Sequence, residues 1–199
     1  QMNVVFDIGN VLVHWEPRAL YRKIFASEDE VEWFIANVCN SDWNLEQDRG
    51  RSFAEAVREA TARFPEHADA IAAYDLRWHE TMPGPIDGTV GILEELRQRG
   101  TPLYAITNFN QDKFRETLER FAFLGVFRDI VVSGDERLLK PDPAIYRVLL
   151  ERNGIDAAAC VFIDDSEKNV RGAEAVGMKA IHFTTPQALR ADLAGMGLL

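Results

Sequence analysis

From residue 89 onward, short apolar runs alternate with longer amphipathic stretches. "TVGILEELRQRG" leads to "PLYAIT", "QDKFRETLERF" to "DIVVSG", "PAIYRVLLERNG" to "CVFIDD" and "SEKNVRGAEAVG" to "KAIHF", with a last helix over 186–195. The amphipathic stretches repeat their apolar residues at roughly the 3.6-residue period of a helix, and the short Val- and Ile-rich runs read as buried strands. Such alternation makes successive strands parallel and places helices on both faces of the sheet. The expected fold class is therefore α/β: a Rossmann-like parallel sheet flanked by helices. Ligands of such sheets bind beyond the carboxyl ends of the strands, so the residues that end each strand are the ones to read for chemistry.

The first strand lies apart from this series. In "NVVFDIGNVLVHW" (3–15) an apolar run breaks at Asp7, followed closely by Gly9. An ionised carboxylate at the end of a buried strand must be solvated, paired or bound to a cation. Asp near Gly is also an ordinary turn signal, so a strand-end cap and a chemical role both stay open.

Between that strand and the alternating region the chain carries helix signatures and little strand character. "PRALYRKIF" opens on a proline suited to a first helical position, "SEDEVEWFIANV" on a capping serine with acids behind it, and "SFAEAVREATARF" on Ser and Glu at capping-box spacing. "HADAIAAYDLRWHETM" is expected to run helical to Met82, before "PGP". The expected organisation is a core formed by residues 1–14 and 84–199, with a helical domain, 15–83, inserted after the first strand. Within that insert, "SDWNLEQDRGRS" reads as a loop between helices that presents Trp43, Glu46, Asp48 and Arg49 where a substrate-reading segment would sit. A polar turn with Trp43 packed inward is the other reading. His14 and Trp15, where the chain enters the insert, either touch ligand or pack at the hinge.

Polar residues gather at the strand ends: Asp7 on the first strand, Thr107 and Asn108 after "YAI", Asp164 and Asp165 after "VFI", and Lys140 just ahead of the helix that starts "PDPAIY". Taken singly, Thr107 could satisfy backbone, Lys140 could be a solvated loop residue, and Asp164 and Asp165 could cap a helix. Taken together, they converge on one rim. Three carboxylates within a few ångströms cannot all stay ionised without a cation. Hard oxygen ligands at an opening of phosphate size suit Mg²⁺. Mg²⁺ and Lys140 balance the three aspartates, which lets a phosphate dianion approach.

Composition narrows the partners. The formal charge is −10, from 32 acidic and 22 basic residues, and no Lys/Arg run could track a phosphate backbone, so nucleic acid is not an expected partner. No apolar run approaches the roughly 20 residues of a membrane span, and the chain starts directly in a strand, so a soluble, cytoplasmic monomer or homodimer is expected. The two cysteines, Cys39 and Cys160, lie far apart and read as reduced, buried thiols.

The order "FDIGNV", "AITN", "LKPDPAIY", "VFIDDSEKNVRGAEAVGMKAI" resembles the haloacid dehalogenase-like hydrolase superfamily over essentially the whole chain. The inserted helical block is similar to the cap of its first subclass, and "FDIGNVLV" with "IDDSEKN" to its bacterial sugar-phosphate phosphatases of the glucose-1-phosphate type. The resemblance implies that Asp7 is a nucleophile forming an aspartyl-phosphate, that the Thr107 hydroxyl bonds the transferring phosphoryl group beside Asn108, and that Lys140 neutralises nucleophile and phosphate. It implies that Asp165 binds Mg²⁺ with Asp7, supported by Asp164 and Asn169, while Trp43 and Arg49 read a small phosphorylated substrate. Gly9 departs from the pattern. Most phosphatases of the family carry an aspartate there, whose carbonyl binds the metal and whose side chain serves as acid and base. Gly9 keeps the carbonyl and loses the acid. A 2-haloacid dehalogenase, whose halide leaves without a proton, is therefore the alternative activity, and a non-catalytic ligand-binding module is the third reading.

Overall fold

The computed structural model describes all 199 residues. Its five strands are β1 (Asn3–Phe6), β2 (Leu103–Thr107), β3 (Asp129–Val132), β4 (Cys160–Asp164) and β5 (Lys179–His182). They form one parallel sheet in the order β3-β2-β1-β4-β5, which is the α/β architecture the alternation dictates. β1 is central: Val4, Val5 and Phe6 pair with Leu103, Tyr104 and Ala105 on one side and with Val161, Phe162 and Ile163 on the other. From β1 the chain fills one side of the sheet and then the other, so the switch in strand order falls at the ends of β1 and β4.

β1, β2 and β4 are buried along their whole length, which is why they read as unbroken apolar runs. Alternate residues feed two separate clusters. Val5, Tyr104, Ile106 and Phe162 pack against α8 (Pro143–Asn153) and α9 (Glu167–Ala175) through Tyr146, Leu149 and Ala173. On the opposite face, Val4, Phe6 and Ile163 meet α6 (Asp87–Gln98), α7 (Gln111–Arg120) and α10 (Pro186–Gly195) through residues such as Leu96, Phe114 and Leu193. That second cluster continues without a break into the helices of the insert.

The insert holds α1 (Pro17–Tyr21), α2 (Glu28–Asn37), α3 (Ser41–Asp48), α4 (Phe53–Arg63) and α5 (Ala68–Leu76). Ser27 and Ser52 cap α2 and α4 by accepting from the Glu30 and Glu55 amides at 3.2 and 3.1 Å. Three readings need correction. α1 covers only the first part of its stretch, α5 stops at Leu76 with a 3₁₀ turn over Trp78–Thr81 beyond it, and the segment around Trp43 is a helix rather than a loop. The Asn40 side chain starts that helix by accepting from the Trp43 amide at 2.8 Å, and the Trp43 indole seats it by donating to the Ala56 carbonyl at 3.2 Å. Short and polar, α3 has no apolar period to announce it.

Both passages of the chain between sheet and insert run side by side: His14 N donates to Gly84 O at 2.9 Å and Ile86 N to Leu12 O at 2.8 Å. Cys39 and Cys160 are free and buried. No helix is long and apolar enough to cross a membrane.

Candidate active site

The strand ends bring the charged residues together around one ammonium. Lys140, 3% exposed, donates its three N–H groups to Asp7 Oδ1 at 2.8 Å, Asp164 Oδ2 at 2.8 Å and the Ile106 carbonyl at 3.0 Å. Its own backbone is fixed by Asn108, whose amide donates to the Lys140 carbonyl at 3.2 Å and accepts from the Lys140 amide at 2.8 Å. The Asn108 side chain thus ties the end of β2 to the lysine loop.

The three aspartates differ in their surroundings. Asp164 is fully buried; its Oδ1 accepts from Ser166 N at 2.8 Å and its Oδ2 from Asn169 Nδ2 at 3.2 Å as well as from Lys140. Burial opposes its charge, but the lysine and these hydrogen bonds outweigh burial and hold the carboxyl below its ordinary value. Asp7 is buried at the end of β1, and burial pushes it well above the usual carboxylate range; Lys140 offsets this only in part, and Asp164 and Asp165 add to it. Asp165 is exposed, and burial of part of its surroundings with the Asp164 charge raises it too.

One carboxylate oxygen from each of these aspartates lies within 4.8 Å of the others. The donor set fits a hard divalent cation. Asp164 is committed to Lys140, Asn169 and Ser166, whereas Asp7 and Asp165 keep oxygens for a ligand, and Asn169 Oδ1 is a buried acceptor with no partner.

A cavity of about 220 Å³ opens over this cluster and is lined by Asp7, Gly9, Thr107, Lys140, Asp165 and Asn169 on the sheet side. From the insert, α3 contributes Asn44 and Asp48, and Trp15 and Trp78 complete the wall. The Asp48 carboxyl has no hydrogen-bond partner; burial raises it to about 7, with only the Lys140 charge acting the other way.

Two residues expected at the site lie elsewhere. Trp43 is 6% exposed and packs at 5.0 Å edge-on against Tyr74 in the apolar interior of the insert. Arg49 is exposed, pairs with Glu46 at 2.6 Å, and lines a neighbouring groove with Arg137 and Lys168. Sequence reasoning missed Asn10, Asn44 and Trp78 as cavity residues. Asn10 carried a usable signal: it adopts φ 61°, a conformation Asn tolerates, and its Oδ1 accepts from Trp15 N at 2.9 Å. Asn44, bonded to the Tyr74 hydroxyl at 2.8 Å, had none.

The sheet and this strand-end constellation define a class, and comparison with known proteins gives it a name. The model of the family described as haloacid dehalogenase-like hydrolase matches residues 40–183, and the chain belongs to that family. It is an enzyme of the hydrolase class. A sesquiterpene phosphatase of Aspergillus oryzae is 27% identical over 190 residues, covering 95% of this chain and 93% of that protein. A phosphoserine phosphatase of Thermus thermophilus is 32% identical over 134 residues, 67% of this chain but only 53% of that protein. Among solved structures, an enzyme of this family from Bacteroides thetaiotaomicron superposes with a TM-score of 0.73 at 21% identity, over 92% of this chain and 94% of that one. A 2-haloacid dehalogenase from Pseudomonas syringae superposes with a TM-score of 0.65 at 21% identity, over 98% of this chain and all of that one.

Proposed function

We propose that this enzyme is a Mg²⁺-dependent phosphatase of a small phosphorylated metabolite, a sugar phosphate being the leading candidate, acting through an aspartyl-phosphate on Asp7. The observation that carries this reading is the division of labour at the rim. Lys140 is shared by Asp7 and Asp164, and Asp165 stands free beside them within cation-binding distance. Asp7, Asp165 and the Gly9 carbonyl would hold Mg²⁺, with Asp164 and Asn169 in support, and the ion would supply positive charge against the phosphoryl oxygens. Asp7 attacks phosphorus, the Thr107 hydroxyl donates to a phosphoryl oxygen, and Lys140 offsets the charge that gathers there. Asn108 positions Lys140. Trp15, Asn44 and Trp78 offer a polar-aromatic wall suited to a hydroxylated leaving group, and take the place in substrate reading that sequence alone gave to Trp43 and Arg49.

Two named phosphatases among the relatives support the reaction class. The paired passages at His14 and Gly84 support a division into a core, 1–14 and 84–199, and a helical cap, 15–83. The reading includes a cytoplasmic monomer or homodimer that binds neither nucleic acid nor membrane.

Gly9 favours a second reading, displacement of halide from a 2-haloacid, because a halide needs no proton. Four carboxylates around one ammonium oppose it, since without a cation they repel the haloacid's own carboxylate. A panel of phosphorylated metabolites and 2-haloacids, assayed with Mg²⁺ or chelator for phosphate and halide, separates the two. Chelator-sensitive phosphate release supports the phosphatase; chelator-resistant halide release overturns it.

A further inference from the structure

Gly9 leaves the proposed reaction without an acid beside the nucleophile, and the cavity holds one carboxyl that the rim does not use. We propose that Asp48, on the last turn of α3, is the catalytic acid and base of this site, a role resting on the phosphatase reading.

Three contacts put it there. Ser133, just after β3, donates its hydroxyl to the Asp48 carbonyl at 2.6 Å. Asn110, just after β2, donates to the carbonyls of Gln47 and Arg51, both at 3.1 Å. The segment thereby rests on the ends of two sheet strands. The approach is close enough to need glycine at position 50, which has φ +116° and where a Cβ would lie 2.9 Å from the Gly134 carbonyl. Such a seat fixes the carboxyl of Asp48 over the cavity that Asp7 and Gly9 line.

The other acids near the insert do not qualify. Glu46 is bound to Arg49 and His14 is exposed, and neither lines the cavity. The Asp48 carboxyl makes no ion pair or hydrogen bond, so its proton is free to move. The groups facing it are Lys140, Asp7, Asp164 and Asp165 across the cavity and the Tyr74 hydroxyl from α5, with Glu46 on its own helix and Arg49 just after it. Held near 7, it is present both as acid and as base around neutrality, the condition under which general acid–base catalysis is most effective.

The chemistry balances. As an Asp7 oxygen bonds to phosphorus, the bond from phosphorus to the leaving oxygen breaks, and the Asp48 proton passes to that oxygen to give a neutral alcohol. The Asp48 carboxylate then takes a proton from water. The water oxygen bonds to phosphorus, the bond to Asp7 breaks, phosphate departs and Asp48 is again protonated.

Two esters and four proteins test this. In Asp48→Asn, kcat/KM for an alkyl phosphate should fall about 10²- to 10⁴-fold. For an aryl phosphate, whose phenolate leaves without a proton, it should change less than about tenfold, since the acid term of that size is not needed there. The same variant should release a burst of phenolate equal to the enzyme present and then turn over slowly, because the base for the second step is gone. Space for a replacement exists, since a Cβ at Gly9 meets nothing within 4 Å. Gly9→Asp added to Asp48→Asn should recover at least tenfold of the alkyl-ester rate, within the range an acid contributes. Asp48→Glu, which keeps a carboxyl, should lose less than Asp48→Asn and covers the case where the amide misfolds. Equal losses on both esters, or no loss on the alkyl ester, overturn the assignment to Asp48. A wild type that releases phosphate from neither ester overturns the phosphatase reading and Asp48 with it.

Discussion

Replacing Lys140 by methionine tests how the rim is held together. The ammonium is 3% exposed and all three of its N–H groups are used, on two carboxylates at 2.8 Å and one carbonyl at 3.0 Å. Methionine keeps most of the stem's volume, so the loss is electrostatic. Removing one partner of a buried ion pair costs about 3–5 kcal/mol, because the charge left behind has neither water nor a counter-ion. In a chain of this size each kcal/mol moves Tm by about 2–4 °C, so Lys140→Met should melt roughly 6–20 °C below wild type at pH 7 in chelator. The sign with pH follows from Asp164. Its folded carboxyl is held below the ordinary value, so its stabilisation is present above that value and lost as pH falls through the lowered one. The variant lacks this stabilisation, and the gap between the two proteins should narrow as pH falls from 7 to below the ordinary carboxylate value of 3.8. Calorimetry across that range is the assay. A gap below about 1 kcal/mol at pH 7, the scale of an exposed pair, or one that widens in acid, would refute the reasoning.

Asp7→Asn should abolish phosphate release yet melt no lower than wild type, because it removes one of three crowded carboxylates; near wild-type turnover would end the covalent mechanism. Mg²⁺ at ten times its dissociation constant should raise stability by about 1.4 kcal/mol, and Asp165→Ala should lose most of that shift, both read as Tm against chelator. Asn110→Ala removes the cap of α7, where Oδ1 accepts from the Asp112 and Lys113 amides, together with the two bonds to the insert. It should cost about 2–3 kcal/mol in denaturant unfolding, roughly 1 for the cap and the rest for buried carbonyls left unpaired.

The sheet was legible because its signal is local. Strands buried on both faces must be apolar runs, and runs alternating with helices must be parallel. That same rule placed Asp7, Thr107, Lys140, Asp164 and Asp165 on one rim although they are up to 158 residues apart in the chain. α3 was not legible. Its composition is that of a turn, and what makes it helical is the Asn40 cap and the Trp43 contact with α4. Once it is helical, spacing by four decides which residues share a face. Trp43 and Gln47 are buried together, while Asn44 and Asp48 line the cavity.

The sequence by itself thus determined the α/β sheet, the rim and the absence of an acid at position 9, all consequences of short-range pattern. Tertiary structure alone decided how four chemically identical carboxyls differ. Asp164 is locked to Lys140, Asp7 shares that lysine under heavy desolvation, Asp165 stands open, and the half-buried Asp48 carboxyl has no partner. A carboxyl's proton affinity depends on the water, charges and donors within a few ångströms of it, and here those neighbours come from segments far apart in the chain.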